Sequence, residues 1–207
     1  MVEDGRKFGW RGVLCASVMA AILAPSGASS QGLNAALIDE TLIERLRDHL
    51  AMEIVWRSVS NQNRMREDAS QSDIDRLDEQ WRSERDAEAK PLIAATLASP
   101  LSNYLTRIQA LSLGLYCEII VMDANGLNVG QSNITSDYWQ GDEAKWQKTY
   151  GAGKSGQFID AAEWNDETKT WRTQVNLTID DPDTGEPIGA ATFEINLTEL
   201  QRREHVQ

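Results

Sequence analysis

A chain of 207 residues with seven tryptophans and 41 % hydrophobic content can bury a core of its own, which excludes a disordered polypeptide. Its formal charge of −12, with no basic stripe to interrupt it, disfavours a nucleic-acid backbone or an anionic membrane surface as a partner. Neither partner class is expected.

The first elements in chain order belong to export. Arg6, Lys7 and Arg11 precede an apolar run over 12–24, and Ala28, Ser29 and Ser30 supply small residues where a signal peptidase would cut. That run of about thirteen residues is short of the roughly twenty needed to span a bilayer. Residues 1–30 therefore read as a cleaved signal peptide, and the mature protein as periplasmic. Cys15 follows Leu14 at the start of the apolar run, so lipidation is not expected. Cleavage leaves about 177 residues with a charge of about −13, enough for one domain. Cys117 is then the sole cysteine; inside the apolar segment 113–121 it reads as core rather than nucleophile.

Residues 31–113 form a helical half rich in Leu, Ala, Glu, Arg and Gln. Leu42, Leu46 and Leu50 predict a long first helix over 36–60, closed by the polar stretch 58–67. Ser70 or Ser72 caps a second helix, with Asp73, Asp75, Asp78 and Glu79 complementing its dipole as a solvated start rather than a metal site. Trp81 leads into the charged run 82–90, Pro91 begins or kinks a further helix, and Pro100 opens another with Leu101, Tyr104, Leu105 and Ile108 on one side.

Residues 114–200 carry strand signals, with 201–207 as a tail. The segment 118–122 is β-branched, Asp123-Ala124-Asn125-Gly126 is a tight turn, and 127–131 returns as its partner, a hairpin expected at the centre of a sheet. The stretch 132–155 reads as a loop with a short helix laid over one sheet face. Strands follow over 157–161, 170–179 and 187–197, separated by turns at 165–167 and 181–185. Five antiparallel strands after a helical half make an α+β layout, with helices packed on a sheet face.

The inventory for catalysis is thin. The histidines are His49, on the first helix, and His205, in the tail; no nucleophile elbow, phosphate-binding glycine loop or zinc spacing is present. No enzyme activity and no cofactor are expected. The acidic run 180–186 lacks the length and closing glutamate of a calcium loop and reads as a hairpin turn. Asn133, Asn176 and Asn196 stand in Asn-x-Thr triplets, two of them in predicted strands, and read as chance occurrences.

Residues 132–146, SNITSDYWQGDEAKW, pack hydroxyls, amides, carboxylates, an ammonium and three aromatics into one loop, the mixture of a small-ligand pocket. The alternative is that Tyr138, Trp139 and Trp146 merely pin the loop.

Helices, then Val-Met-Asp-Ala-Asn-Gly-Leu-Asn-Val over 121–129, then Thr-Ser-Asp-Tyr-Trp-Gln-Gly-Asp-Glu-Ala-Lys-Trp over 135–146, then a closing hairpin, resemble the PDC/Cache family of extracytoplasmic sensor domains over about 36–200. The resemblance implies a PAS-like antiparallel sheet behind a long N-terminal helix, with ligand between the sheet and its crossing loops. Thr135, Asp137, Tyr138, Trp139 and Trp146 are then the loop's ligand-binding candidates, with Asp160 on the next strand for an ammonium or hydroxyl. Amino-acid-binding members carry Arg and Tyr where this chain has Ala144 and Gln147, which removes a carboxylate anchor unless Lys145 or Lys148 substitutes.

Members of the family usually sit between two membrane spans and pass a signal into a cytoplasmic module. This chain shows an input and no second apolar span, so a periplasmic sensor is expected to report by docking on a separate membrane protein, with a homodimer through the N-terminal helix also open. An accessory protein-interaction module with a degenerate pocket is the alternative.

Overall fold

The computed structural model describes residues 35–205; the signal peptide expected over 1–30 lies outside them. Leu42, Leu46 and Leu50 recur every four residues, but the next buried apolar positions are Val55 and Val59, a five-residue step. At 3.6 residues per turn that step rotates the apolar stripe away from the core. The chain breaks to restore it: α1 (Glu40–Leu50) ends at Ala51, Met52 is extended with ψ 136°, and α2 (Glu53–Met65) begins again. The single helix expected over 36–60 is thus two helices behind a short 3-10 turn, Ala35–Leu37, and α2 runs through the polar stretch instead of closing there.

Caps fix the next three helices. Ser70 and Asp73 form a capping box that starts α3 (Gln71–Asp86), Pro91 occupies the first turn of α4 (Pro91–Leu97), and Ser99 caps α5 (Pro100–Leu111), which also has Pro in its first turn. Such positions use proline where no helical N–H is lost.

The strands are β1 (Tyr116–Asp123), β2 (Asn128–Gln131), β3 (Gln157–Ile159), β4 (Glu163–Asn165), β5 (Thr170–Asp180) and β6 (Pro187–Asn196). They form one antiparallel sheet in the order β2-β1-β6-β5-β3, with β4 also paired to β5. The fold is α+β, as expected, with a sixth strand that the sequence pattern did not suggest. β4 is three residues long, and its Trp164 meets Trp171 of β5 edge to face at 5.6 Å. The β1–β2 hairpin lies at an edge rather than centrally, because β6 returns between β1 and β5. Where a strand end and a tail were expected, α7 (Leu197–Glu204) follows, capped by Asn196 Oδ1, which accepts from Glu199 N at 3.0 Å.

Alternation along the strands gives the sheet two unlike faces. Ile119, Val121, Val175, Leu177, Phe193 and Ile195 pack with Leu46, Leu50, Val55, Val59, Leu101 and Leu105 into the main core, under α1, α2 and α5. The other face carries Ile120, Met122 and Ala190 beneath Trp146 and Tyr150, and the polar Glu118, Asn176, Thr178, Thr192 and Glu194 alternate with the core positions. Between the sheet and solvent on this side runs the 132–155 segment, with α6 (Ala144–Gln147) and a 3-10 turn, Tyr150–Ala152. A third cluster, Ile74, Trp81, Ile93, Leu127 and Tyr138, joins α3 and α4 to the β2 edge and that segment. The edge is covered: Leu127 bridges Trp139, and Asn128 N donates to Tyr138 O at 3.0 Å.

Candidate functional site

Asp78 holds the segment in place. Its Oδ1 accepts from Tyr138 N at 2.8 Å and Trp139 N at 3.1 Å, and its Oδ2 pairs with Arg82 Nη2 at 2.8 Å. It is 8 % exposed, so the solvated helix start expected for this acidic cluster does not extend to Asp78. Four aromatic polar groups add posts. Trp81 Nε1 donates to Thr135 O at 3.0 Å, Trp139 Nε1 to Asn125 O at 2.9 Å and Trp146 Nε1 to Asp123 O at 3.1 Å. Arg66 Nη2 donates to Tyr138 OH at 3.2 Å.

These contacts divide the six candidate ligand residues. Tyr138 is 2 % exposed and stacks on Trp81 at 5.2 Å, and Trp139 packs beside it, so both face the α3–α4 cluster. Trp146 stacks on Tyr150 at 5.0 Å and covers Ile120 and Met122. Thr135 and Asp137 come together in a polar network: Thr135 Oγ1 donates to Asp137 O at 2.6 Å, and Asn128 Nδ2 reaches Gln131 Oε1, Thr135 Oγ1 and Asp137 O at 2.9, 3.0 and 3.2 Å. Gln140 Nε2 donates to Asp137 Oδ1 at 2.6 Å. Asp160 lies apart from them, in a cleft of about 210 Å³ lined also by Glu143, Arg172, Gln174 and Glu194.

The network is buried but incomplete. Asn128, Gln131 and Gln140 are 0, 0 and 1 % exposed. Asn128 Oδ1, Gln131 Nε2 and Gln140 Oε1 nevertheless find no hydrogen-bond partner among the described residues. An unmet buried polar group costs roughly 1–3 kcal/mol, so three in one network are unusual for a region that exists only to pack.

Charge connects this network to the cleft. Lys145, itself buried, pairs with Glu143 at 3.0 Å, and Arg172 Nη1 pairs with Glu194 Oε2 at 2.8 Å. Burial, and then the negative charge of Glu194, push the Glu118 carboxyl up to about 7; Lys145 and Arg172 oppose the shift and Asp137 adds to it. Glu118, Glu194, Arg172, Asn128, Gln131 and Gln140 were not singled out from the sequence, and Lys145 was considered only as a substitute carboxylate anchor. For Glu118 and Glu194 the available signal was a charged residue within an otherwise apolar strand.

Other candidates carry less chemistry. Cys117 is half-buried and burial pushes its thiol up to about 11, far from a reactive thiolate. His49 meets the Tyr116 ring edge-on at 6.0 Å, and burial lowers its pKa. Asp181 Oδ1 accepts from Asp183 N and Thr184 N, both at 2.9 Å, and Gly185 has φ +70°, so the acidic run is the expected turn. Among the described residues no group of three or more His, Cys, Asp or Glu is placed to hold a metal ion. A larger surface cavity of about 380 Å³ at the α2–α3 turn is lined by residues such as Arg64, Glu67, Asp68 and Arg76, none of them buried.

No family model and no curated protein matches the sequence. Among solved structures it is similar to an extracellular domain assigned to a histidine kinase, rpHK1S-Z16, at 14 % identity, TM-score 0.41, covering 53 % of this chain and 45 % of that one. It is similar to the ligand-binding domain of the Pseudomonas aeruginosa PAO1 amino-acid chemoreceptor PctC, in complex with GABA, at 16 % identity, TM-score 0.35, covering 72 % and 61 %. A further match is the sensor domain of the V. cholerae histidine kinase DctB, at 12 % identity, TM-score 0.35, covering 78 % and 58 %. The chain spans less than two thirds of each of these three structures. By name these three are an extracellular domain and a sensor domain of histidine kinases and a ligand-binding domain of a chemoreceptor.

Proposed function

We propose that the protein is a small-molecule-binding sensor domain whose ligand lies between the polar face of the sheet and the 132–155 segment. The observation that carries this is the set of unmet polar atoms on Asn128, Gln131 and Gln140, in a network whose Asp137 bears on the Glu118 carboxylate. A bound molecule with complementary donors and acceptors removes that cost and converts it into affinity. In this reading Thr135 and Asp137 orient the network and Asp160 guards the adjoining cleft. Tyr138, Trp139 and Trp146 act as posts that set the height of the loop. No turnover is part of the proposal.

The finer parts of the proposal are export, with residues 1–30 removed, and transmission to a separate membrane protein. The outer side of α1 offers Glu40, Glu44, Arg45 and Asp48, all exposed, so such a contact would be electrostatic and salt-sensitive.

The test is a thermal-shift screen of the purified protein against amino acids, amines, carboxylates, purines and divalent ions. A ligand at one hundred times its dissociation constant adds about 2.7 kcal/mol of stability. The expected result is a shift that Gln140→Leu and Asp137→Ala abolish. Folded, ligand-free protein that responds to no compound would instead support an interaction module with a degenerate pocket.

A further inference from the structure

Pairing the charges on the polar face leaves an imbalance. Two of its cations are committed to carboxylates, Arg172 to Glu194 at 2.8 Å and Lys145 to Glu143 at 3.0 Å, and a third, the exposed Lys148, stands over the Phe158 ring at 4.3 Å. Asp137 accepts from Gln140 at 2.6 Å with Arg82 at 3.9 Å, and Asp160 Oδ1 accepts from the next residue's N–H at 2.7 Å. Among the described residues no hydrogen bond or ion pair reaches the Glu118 carboxylate, although the charges of Lys145, Arg172, Glu194 and Asp137 all bear on it. Two of the three unmet atoms nearby, Asn128 Oδ1 and Gln140 Oε1, are acceptors.

We propose that this compartment selects a small organic cation, a primary or secondary amine, with the Glu118 carboxylate as its counter-ion; the inference rests on the ligand-binding reading above. An alkylammonium brings two or three N–H donors and one positive charge, which matches two unmet acceptors and one unmatched carboxylate. The unmet donor on Gln131 suits a hydroxyl or second neutral acceptor on the same molecule. A ligand carboxylate beside Glu118 meets Asp137 and Glu194 as well, while Lys145 and Arg172 are already paired and the exposed Lys148 lies over the Phe158 ring.

Protonation follows from the same geometry. Glu118 on β1 faces Glu194 from β6, Arg172 from β5, Lys145 from α6 and Asp137 from the covering segment, with Cys117 its neighbour in the strand. Burial and Glu194 hold Glu118 at about 7. A bound ammonium favours the ionised form, so binding near neutral pH releases a proton. The ionised fraction rises from roughly a tenth at pH 6 to nine tenths at pH 8, so amine affinity increases about tenfold over that range.

Isothermal titration of the full chain with putrescine, agmatine and ethanolamine, beside succinate, γ-aminobutyrate and inositol, tests this at pH 6 and 8 in two buffers of different ionisation heat. The expected result is binding of at least one amine, about tenfold tighter at pH 8, with proton release. In Glu118→Gln, affinity falls at least tenfold and the pH dependence vanishes; Glu118→Asp keeps the pH dependence with weaker affinity. Melting curves of both variants at pH 8, at or above the native curve for Glu118→Gln, show that loss of binding is not loss of fold. Binding of succinate or γ-aminobutyrate that survives Glu118→Gln but not Gln140→Leu removes the cation inference and keeps the ligand site. No binding by any of the six compounds removes both.

Discussion

Replacing Asp78 by alanine should release the covering segment before it unfolds the domain. The carboxylate satisfies two backbone donors, Tyr138 N at 2.8 Å and Trp139 N at 3.1 Å, at a site 8 % exposed. Each orphaned buried N–H costs about 1–3 kcal/mol, and the ion pair to the mostly exposed Arg82 adds little. With some relaxation of the loop, Asp78→Ala should lose about 2–4 kcal/mol, or about 5–15 °C in Tm for a domain of this size. Asp78→Asn keeps an oxygen acceptor in place and should lose about 1 kcal/mol. Urea denaturation followed by tryptophan fluorescence gives the global figure, and hydrogen exchange at the Tyr138 and Trp139 amides gives the local one. Asp78→Ala within about 0.5 kcal/mol of the native protein, with both amides still protected, would refute Asp78 as the anchor.

Gly189→Ala should destabilise by about 2 kcal/mol or more, because its Cβ would stand 2.2 Å from Met122 O and 3.0 Å from Val59 Cγ1. Gly151→Ala, with nothing within 4 Å, should change the melting midpoint little. Trp81→Phe removes the bond to Thr135 O and should cost about 1–2 kcal/mol, whereas Trp81→Ala also empties a fully buried volume and should cost about 3–5 kcal/mol by chemical denaturation. Glu118 sets a pH dependence. Its folded pKa is raised from 4.5 to about 7, so its contribution to stability is present below pH 4.5 and is lost as pH rises through 7. Melting curves should show that decline between pH 4.5 and 7 in the native protein and a flatter profile in Glu118→Gln.

Much of the fold was legible because its signals are local. Ser70, Pro91, Pro100 and the Asp123–Gly126 turn each act on their own backbone, and each marks a boundary it was expected to mark. Two further local signals were present and were not taken up: the step from Leu50 to Val55 that splits the first helix, and Asn196 with Glu199 ahead of α7. The candidate site divides in the same way. The 132–146 stretch announces itself by composition, but composition does not distinguish an aromatic ring that lines a pocket from one that pins a loop.

Periodicity and caps depend on neighbours within a few residues, so the sequence by itself determined the helical half, the strand-rich half and the α+β class. Strand order depends on pairings across more than fifty residues, such as Ile119 with Phe193, which local pattern does not encode. Only the tertiary structure therefore placed the β1–β2 hairpin at an edge, set Asp78 of α3 under the backbone of Tyr138, and brought Glu118, Lys145, Arg172 and Glu194 within range of one another. Desolvation gives Glu118 its chemistry, and a carboxylate is desolvated only when distant segments close over it.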